Sequence, residues 1–248
     1  MKRSNTYAMV IIGTCVGLIV IALLVGTFNN TEHFASVPVP TVPPPTVVPK
    51  PTVSSAAIPT ANPENVNIAD AMEKLIQKFG ITSISEVGCG NCVWVPILLG
   101  KIPTLKYTGY EKSPVLVEQA KATLSKFKTA TVQVADPTTA IPVVSDLVVS
   151  RNLLQTLSYV GIRQTLINFS KFNCKFIALG NYGHDSSDNK NVKTGETFLI
   201  NLEKEPFNMS PADIKMEGTT NRLFYVYTLD QMQGYITGNT FWKNPGKI

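Results

Sequence analysis

The stretch from Ser83 to Cys92, SISEVGCGNC, constrains the chain more than any other. Ile84 stands between two serines, and Glu86 and Val87 lead into Gly88-Cys89-Gly90. This is the pattern of a buried strand that runs into a tight turn. Gly88 and Gly90 can adopt backbone angles closed to other residues and let a ligand lie against the main chain. Helix-forming residues follow from Val93 to Leu99. Strand, glycine turn and helix together make the general geometry of nucleotide-cofactor sites.

The flanking sequence supplies the rest of such a fold. Asn67 is placed to cap a helix whose Ile68, Met72, Leu75, Ile76 and Phe79 share one face, and Gly80 ends it. Strands are expected at Thr82–Val87, Lys106–Glu111, Thr131–Ala135, Asp146–Ser150 and Lys175–Gly180. Between them Ser113–Phe127 reads as a helix with Leu116, Ala120 and Leu124 inward. Tyr159–Phe172 reads as another, with Ile162, Leu166, Ile167 and Phe169 apolar. Alternation at this spacing predicts right-handed crossovers and a mostly parallel sheet. After Asn181 the polar run GHDSSDNKNVKTGE reads as a mobile loop. Two later runs, Ile214–Glu217 and Arg222–Leu229, complete seven strands, one of them a late antiparallel insertion. The fold class expected is α/β, Rossmann-like and doubly wound. Gly234–Ile248 reads as a loose tail whose Phe241 and Trp242 are available to dock.

The N-terminal part is different. Lys2 and Arg3 precede Tyr7–Phe28, an uncharged run rich in Val, Ile, Leu and Ala. About 20 helical residues cross a bilayer core. The run is too long for a signal-peptide core, and no clean cleavage site follows it. Residues 1–28 are therefore expected to be a single transmembrane anchor that contacts lipid through residues 7–28. Residues 29–64 are expected to be a proline-rich linker in an extended conformation. The folded domain is assigned to 65–232 and the tail to 233–248.

Ligands of doubly wound sheets bind beyond the C-terminal ends of the strands. Glu86, Gly88 and Gly90 lie there after the first strand, Glu111 after the second and Asp136 after the third. Arg151 and Asn152 follow the fourth. An acid ending the second strand can accept from both ribose hydroxyls, and a further acid after the third suits an adenine amino group. The turn lacks the third glycine of the dinucleotide fingerprint, and no P-loop motif exists. A nucleoside without phosphates fits better. Cys89-Gly90-Asn91-Cys92 also matches C-x-x-C, but no second pair exists for zinc, and its overlap with the glycine turn accounts for it. No metal site is expected.

The ordered set EVGCGNC, YTGYEKSP, VADPTT and SDLVVSRNLLQTLS resembles the motifs of class I, Rossmann-like S-adenosylmethionine-dependent methyltransferases over about Asn65 to Met232. Within that superfamily it resembles a group of small methyltransferases with a G-C-G-[DN]-x-x-W turn (here Gly88 to Trp94) and an N-L-x-x-x-P-F-N segment (Asn201 to Asn208). The resemblance implies S-adenosylmethionine as cofactor. It implies that Glu86, Gly88, Cys89 and Gly90 shape the turn under the methionine part, and that Glu111 binds the ribose. It further implies that Asp136 and Pro137 attend the adenine, and that Arg151 and Asn152 line the methionine side. Relatives commonly have Asp at the position of Asn152 and His at that of Thr156. His184 and Tyr182, after the fifth strand, are the candidate catalytic residues for an acceptor that must lose a proton. The expected function is transfer of a methyl group to an unidentified small molecule or protein. The alternative is a degenerate domain that serves as a membrane-tethered interaction protein.

The net charge of +5 comes from basic residues scattered along the chain. That implies a mildly basic surface, and no nucleic-acid partner is expected. Lys2 and Arg3 before the anchor would place the domain outside the cytoplasm. Four cysteines without a disulfide framework and a cofactor made in the cytosol favour the cytosolic side, which is the expected location.

Overall fold

In a computed structural model, residues 62–182, 188–219, 222–238 and 240–243 are described. The expected anchor at 7–28 and the linker up to residue 61 lie outside the described residues, as does His184. Among the described residues no helix is long and apolar enough to cross a membrane.

Helix α1 runs from Pro63 to Phe79. It starts earlier than the sequence pattern suggests because a better signal lies upstream. Pro63 occupies the first turn, where its missing N–H costs nothing, and the Asn62 side chain accepts from the Glu64 N–H at 3.0 Å. Gly80, left-handed at φ 61°, ends the helix. Ile68, Ala69, Met72, Leu75 and Ile76 form its buried stripe.

Seven strands follow: β1 Ser83–Val87, β2 Lys106–Glu111, β3 Ala130–Val134, β4 Leu147–Ser150, β5 Phe176–Asn181, β6 Ile214–Thr219 and β7 Arg222–Thr228. They form one sheet in the order β3-β2-β1-β4-β5-β7-β6. β1 to β5 are parallel, and β7 runs antiparallel between β5 and β6. The single reversed strand matches the expectation. The chain departs left and right from β1 and β4, so the switch point falls between them.

Helices α2 (Val95–Lys101), α3 (Pro114–Leu124), α4 (Tyr159–Phe169), α5 (Leu229–Gly238) and α6 (Thr240–Lys243) complete the fold. α2 starts after Val93 because Cys92 takes a left-handed φ of 56° and prolongs the turn. The inward residues of α3 are Val117, Ala120 and Leu124; Leu116 is only half-buried, because Ser113 caps the helix and sets its phase. In α4, Ile167 is likewise half-buried, and Thr165 and Asn168 share the buried face.

Alternate strand residues feed two apolar layers. Ile84, Tyr107, Leu147, Val149 and Ala178 pack with α1, α2 and α3. Val87, Val148, Ile177, Leu179 and Tyr225 pack with α4 and α5. Of the run expected to be a loose tail, residues 234–238 and 240–243 are helical. Met232 and Trp242 are buried in the second layer, and the Trp242 ring lies 6.3 Å from Phe207 and 4.7 Å from Phe241. Both layers are built within the compact unit Val53–Ile248, which contains the whole core formed by the described residues.

The polar segment after β5 is held in place from Asp188 onward. The Asn189 amide donates to the carbonyls of Asn201 and Glu205, both at 2.8 Å. Asn191 accepts from the Tyr159 N–H at 2.9 Å at the start of α4. Phe198 N–H donates to the Gln155 carbonyl at 2.9 Å. Asparagine side chains thus replace a backbone ladder, which is why composition alone suggests mobility there.

Candidate functional site

The turn after β1 is built from backbone. Gly88 and Gly90 have φ of 76° and 58°. The N–H groups of Gly88 and Cys89 both donate to the Tyr110 carbonyl, at 2.8 and 3.2 Å, and bind the turn to the end of β2. A Cβ on Gly88 would lie 2.8 Å from Cβ of Leu153, so the segment after β4 packs directly on the turn. Cys89 is buried, and its sulfur occupies the space left by Gly109, where a Cβ would approach it to 2.7 Å. The neighbouring Cys92 thiol, and then burial, hold the Cys89 thiol far above the usual range. A reactive thiolate is therefore disfavoured at Cys89. Among the described residues no group of three His, Cys, Asp or Glu side chains could hold a metal ion.

Glu111 ends β2 and clamps the turn. One carboxylate oxygen accepts from the Gly90 N–H and the other from the Ser113 N–H, each at 2.9 Å. Each oxygen keeps lone-pair capacity for a further donor.

Glu86 has a different environment. It is 1% exposed. It accepts from the Tyr107 hydroxyl at 2.6 Å, and the Trp94 indole N–H lies 3.2 Å from both of its oxygens. Burial pushes its pKa up to about 7, against the opposing charge of Arg151. Arg151 lies between Glu86 and Glu64, with one guanidinium nitrogen 3.9 Å from the Glu64 carboxylate. Trp94 and Tyr107 were not evident as site residues in the sequence. The signal available was the W of the glycine-turn motif, and the alternation that puts Tyr107 on the same sheet face as Glu86.

Asp136, after β3, is held by Lys112 at 2.7 Å and by the N–H and hydroxyl of Thr138 at 2.9 and 2.7 Å. These partners, Lys112 first, lower its pKa to about 2. Pro137 is fixed from the α4 side, where buried Asn168 donates to its carbonyl at 3.1 Å and to that of Thr139 at 2.9 Å. Asn168→Ala is expected to lower stability by about 2 kcal/mol, because it leaves two carbonyls unpaired. Urea denaturation checks this; an unchanged midpoint would show that the loop is held by other means.

At the ends of β4 and β5 several buried polar atoms have no hydrogen-bond partner among the described residues: Ser150 Oγ, Asn152 Oδ1, Gln155 Oε1 and Asn181 Nδ2. The other end of the Asn181 amide accepts from the Leu202 N–H at 2.6 Å and ties down the segment that follows. Tyr182 is buried, and its N–H donates to the Ile200 carbonyl at 2.9 Å. Glu86, Gly88, Cys89, Gly90, Glu111, Asp136, Pro137, Arg151 and Asn152 thus lie along one edge of the sheet, at the C-terminal ends of β1 to β4. Tyr182 lies at the end of β5.

No protein-family model matches the chain, and no curated protein matches it by sequence. Solved structures share its fold. The mitomycin 7-O-methyltransferase MmcR is 15% identical with a TM-score of 0.53, over 66% of this chain and 53% of that one. Human N-acetylserotonin methyltransferase, solved with S-adenosylmethionine, is 13% identical with a TM-score of 0.51, over 66% and 50%. The methyltransferase domain of bacterial CtHen1-CN is 13% identical with a TM-score of 0.52, over 66% and 99%. The chain spans about half the length of the first two. It has the Rossmann-like fold of the class I S-adenosylmethionine-dependent methyltransferases.

Proposed function

We propose that the chain is an S-adenosylmethionine-dependent methyltransferase, tethered to a membrane through residues 7–28 with its domain on the cytosolic side. The observation that carries this reading is Glu111. Its carboxylate is fixed by two backbone N–H groups at the mouth of the glycine turn, with lone pairs left for two vicinal hydroxyls. The other groups fit the same cofactor. Glu86 and Arg151, an acid and a base side by side, complement the ammonium and carboxylate of an amino-acid moiety. Unpartnered Asn152 Oδ1 and Gln155 Oε1 offer further acceptors beside them. Asp136 suits an adenine amino group once Lys112, whose side chain is 65% exposed, yields one oxygen. The three solved structures named above are methyltransferases in name, which supports the reading.

Bound S-adenosylmethionine supplies an electrophilic methyl group on a sulfonium. The protein's part is to position and to exclude water. The turn and Glu111 fix the nucleoside end. Segment 198–209, held by Asn181 and Asn189, covers the ends of β5 and β7, where Phe207 is buried. Tyr182 and His184 are the candidates to take a proton from the acceptor, a small molecule or a protein side chain.

Isothermal titration of residues 53–248 with S-adenosylhomocysteine tests the reading. One site per chain is expected, and Glu111→Ala should weaken binding about thirtyfold or more, as the loss of charged hydrogen bonds implies. A folded sample that does not bind would overturn the proposal. Binding unchanged by Glu111→Ala would overturn the assignment of the site.

A further inference from the structure

The lysines are scattered in sequence, and the fold gathers them. Parallel strands begin at one edge of a sheet, and the helices between them end there. The register places Ser83 beside Lys106, Tyr107 beside Ala130, and Leu147 beside Phe176, so β1 to β5 start level. Lys78 lies in the last turn of α1, Lys106 opens β2, Lys126 and Lys128 precede β3, and Lys171 lies between α4 and β5. All five are exposed, and none has a carboxylate partner among the described residues. Lys101, Lys121 and Lys175 share the edge but are paired with Asp70 and Glu73, with Glu118, and with Asp146. Asp213, just before β6, and Asp230, just after β7, bound the basic stretch along the same edge. Helix dipoles account for Lys78 and Lys121 in last turns, but not for the lysines outside helices.

Two apolar features lie on the same edge. Val144, just before β4, is 74% exposed. A cleft of about 300 Å³ opens between α3 and β3, lined by Lys121, Leu124, Phe127 and Val132 among others.

We infer that this edge, opposite the cofactor turn, is a docking face for an anionic membrane surface. Clustered lysines supply the attraction, and Val144 supplies an apolar contact at headgroup depth. A single-stranded nucleic acid would need exposed aromatic rings on which to stack. The large apolar side chains exposed among the described residues are Val115, Val134, Val144, Val160 and Leu199, with no aromatic ring. The face is independent of the methyl-transfer reading, since none of its residues touches the turn.

The test uses residues 53–248, which lack the apolar run, in co-sedimentation with phosphatidylcholine vesicles with and without phosphatidylserine. Binding is expected only to the anionic vesicles and should fall steeply as salt rises. Removing a juxtamembrane lysine weakens such binding about fivefold, so Lys126→Glu with Lys128→Glu should weaken it by tenfold or more. The same double variant should bind S-adenosylhomocysteine like the parent. Equal sedimentation with neutral vesicles, binding unaffected by the double variant, or displacement of vesicles by RNA at equal phosphate would each overturn the inference.

Discussion

Gly180→Ala is expected to prevent stable folding. Gly180 lies in β5, and a Cβ there would approach the Arg151 carbonyl oxygen to 2.0 Å. The clash is with backbone, which cannot rotate aside. Either the end of β5 or the segment after β4 has to shift by more than an ångström, and both are locked. Ser150 is paired with Leu179 in register, and Leu153 rests on Gly88. Overpacking of this kind costs about 3 kcal/mol or more, a large share of the stability of a typical domain. Gly100→Ala serves as the control. Gly100 lies in α2 with nothing within 4 Å of its added Cβ, so alanine should be neutral or stabilise by up to about 1 kcal/mol. Denaturation midpoints of the two variants check the pair. A Gly180→Ala protein as stable as the parent would mean that β5 and the post-β4 segment are not in close contact.

The second large effect concerns Glu86 and has a sign that depends on pH. Its pKa rises from 4.5 to about 7 on folding, chiefly through burial. Below pH 4.5 the group is neutral in both folded and unfolded chains, and its contribution to stability is fully present. As pH rises the unfolded chain ionises first, and the contribution is lost through pH 7. The shift corresponds to about 3 kcal/mol. Glu86→Gln cannot titrate and still accepts from Tyr107. Relative to the parent, the variant should therefore gain about 3 kcal/mol between pH 4.5 and pH 8, whatever constant offset the amide introduces. Asp136, with a pKa of about 2, and Asp146, lowered by Lys175 and Thr82, lose their stabilising effect only in acid and cancel in the comparison. Parallel stability profiles for the two proteins would refute the argument. The same variant should bind S-adenosylhomocysteine less tightly, since it lacks the charge offered to an ammonium group. As pH rises from 4.5 to 8, the variant's stability relative to the parent should rise while its relative affinity for the ligand falls.

The order of strands and the place of the site were legible because they rest on local signals. Alternation marks β1 and β2, a continuous apolar run marks β5, and the glycines of the turn and the acids that follow β2 and β3 stand in plain view. The partners of those acids were not legible. Trp94 and Tyr107 reach Glu86 only because α2 and β2 fold over the same face, and Lys112 reads as an ordinary surface residue until it meets Asp136. Phe241 and Trp242 were legible as docking residues but the helices that carry them were not, because Trp242 finds its neighbours, Phe207 and Phe241, in a layer assembled from distant segments. The lysine edge was hidden for the same reason. Spacing along the chain says nothing of residues that a parallel sheet brings level.

The chain contains two tryptophans, and the fold assigns one to each side of the sheet. Trp94 is packed with α1 to α3 beside Glu86, and Trp242 is packed with α4 and α5. The molecule thus has an intrinsic fluorophore in each layer, both nearly sealed from solvent at 1% and 2% exposure. Quenching of Trp94 reports ionisation of the site carboxylate, and the emission maximum of Trp242 reports docking of the C-terminal helices. Replacing either ring with phenylalanine leaves a spectrum that belongs to one side alone. The two layers can then be watched separately as the domain opens.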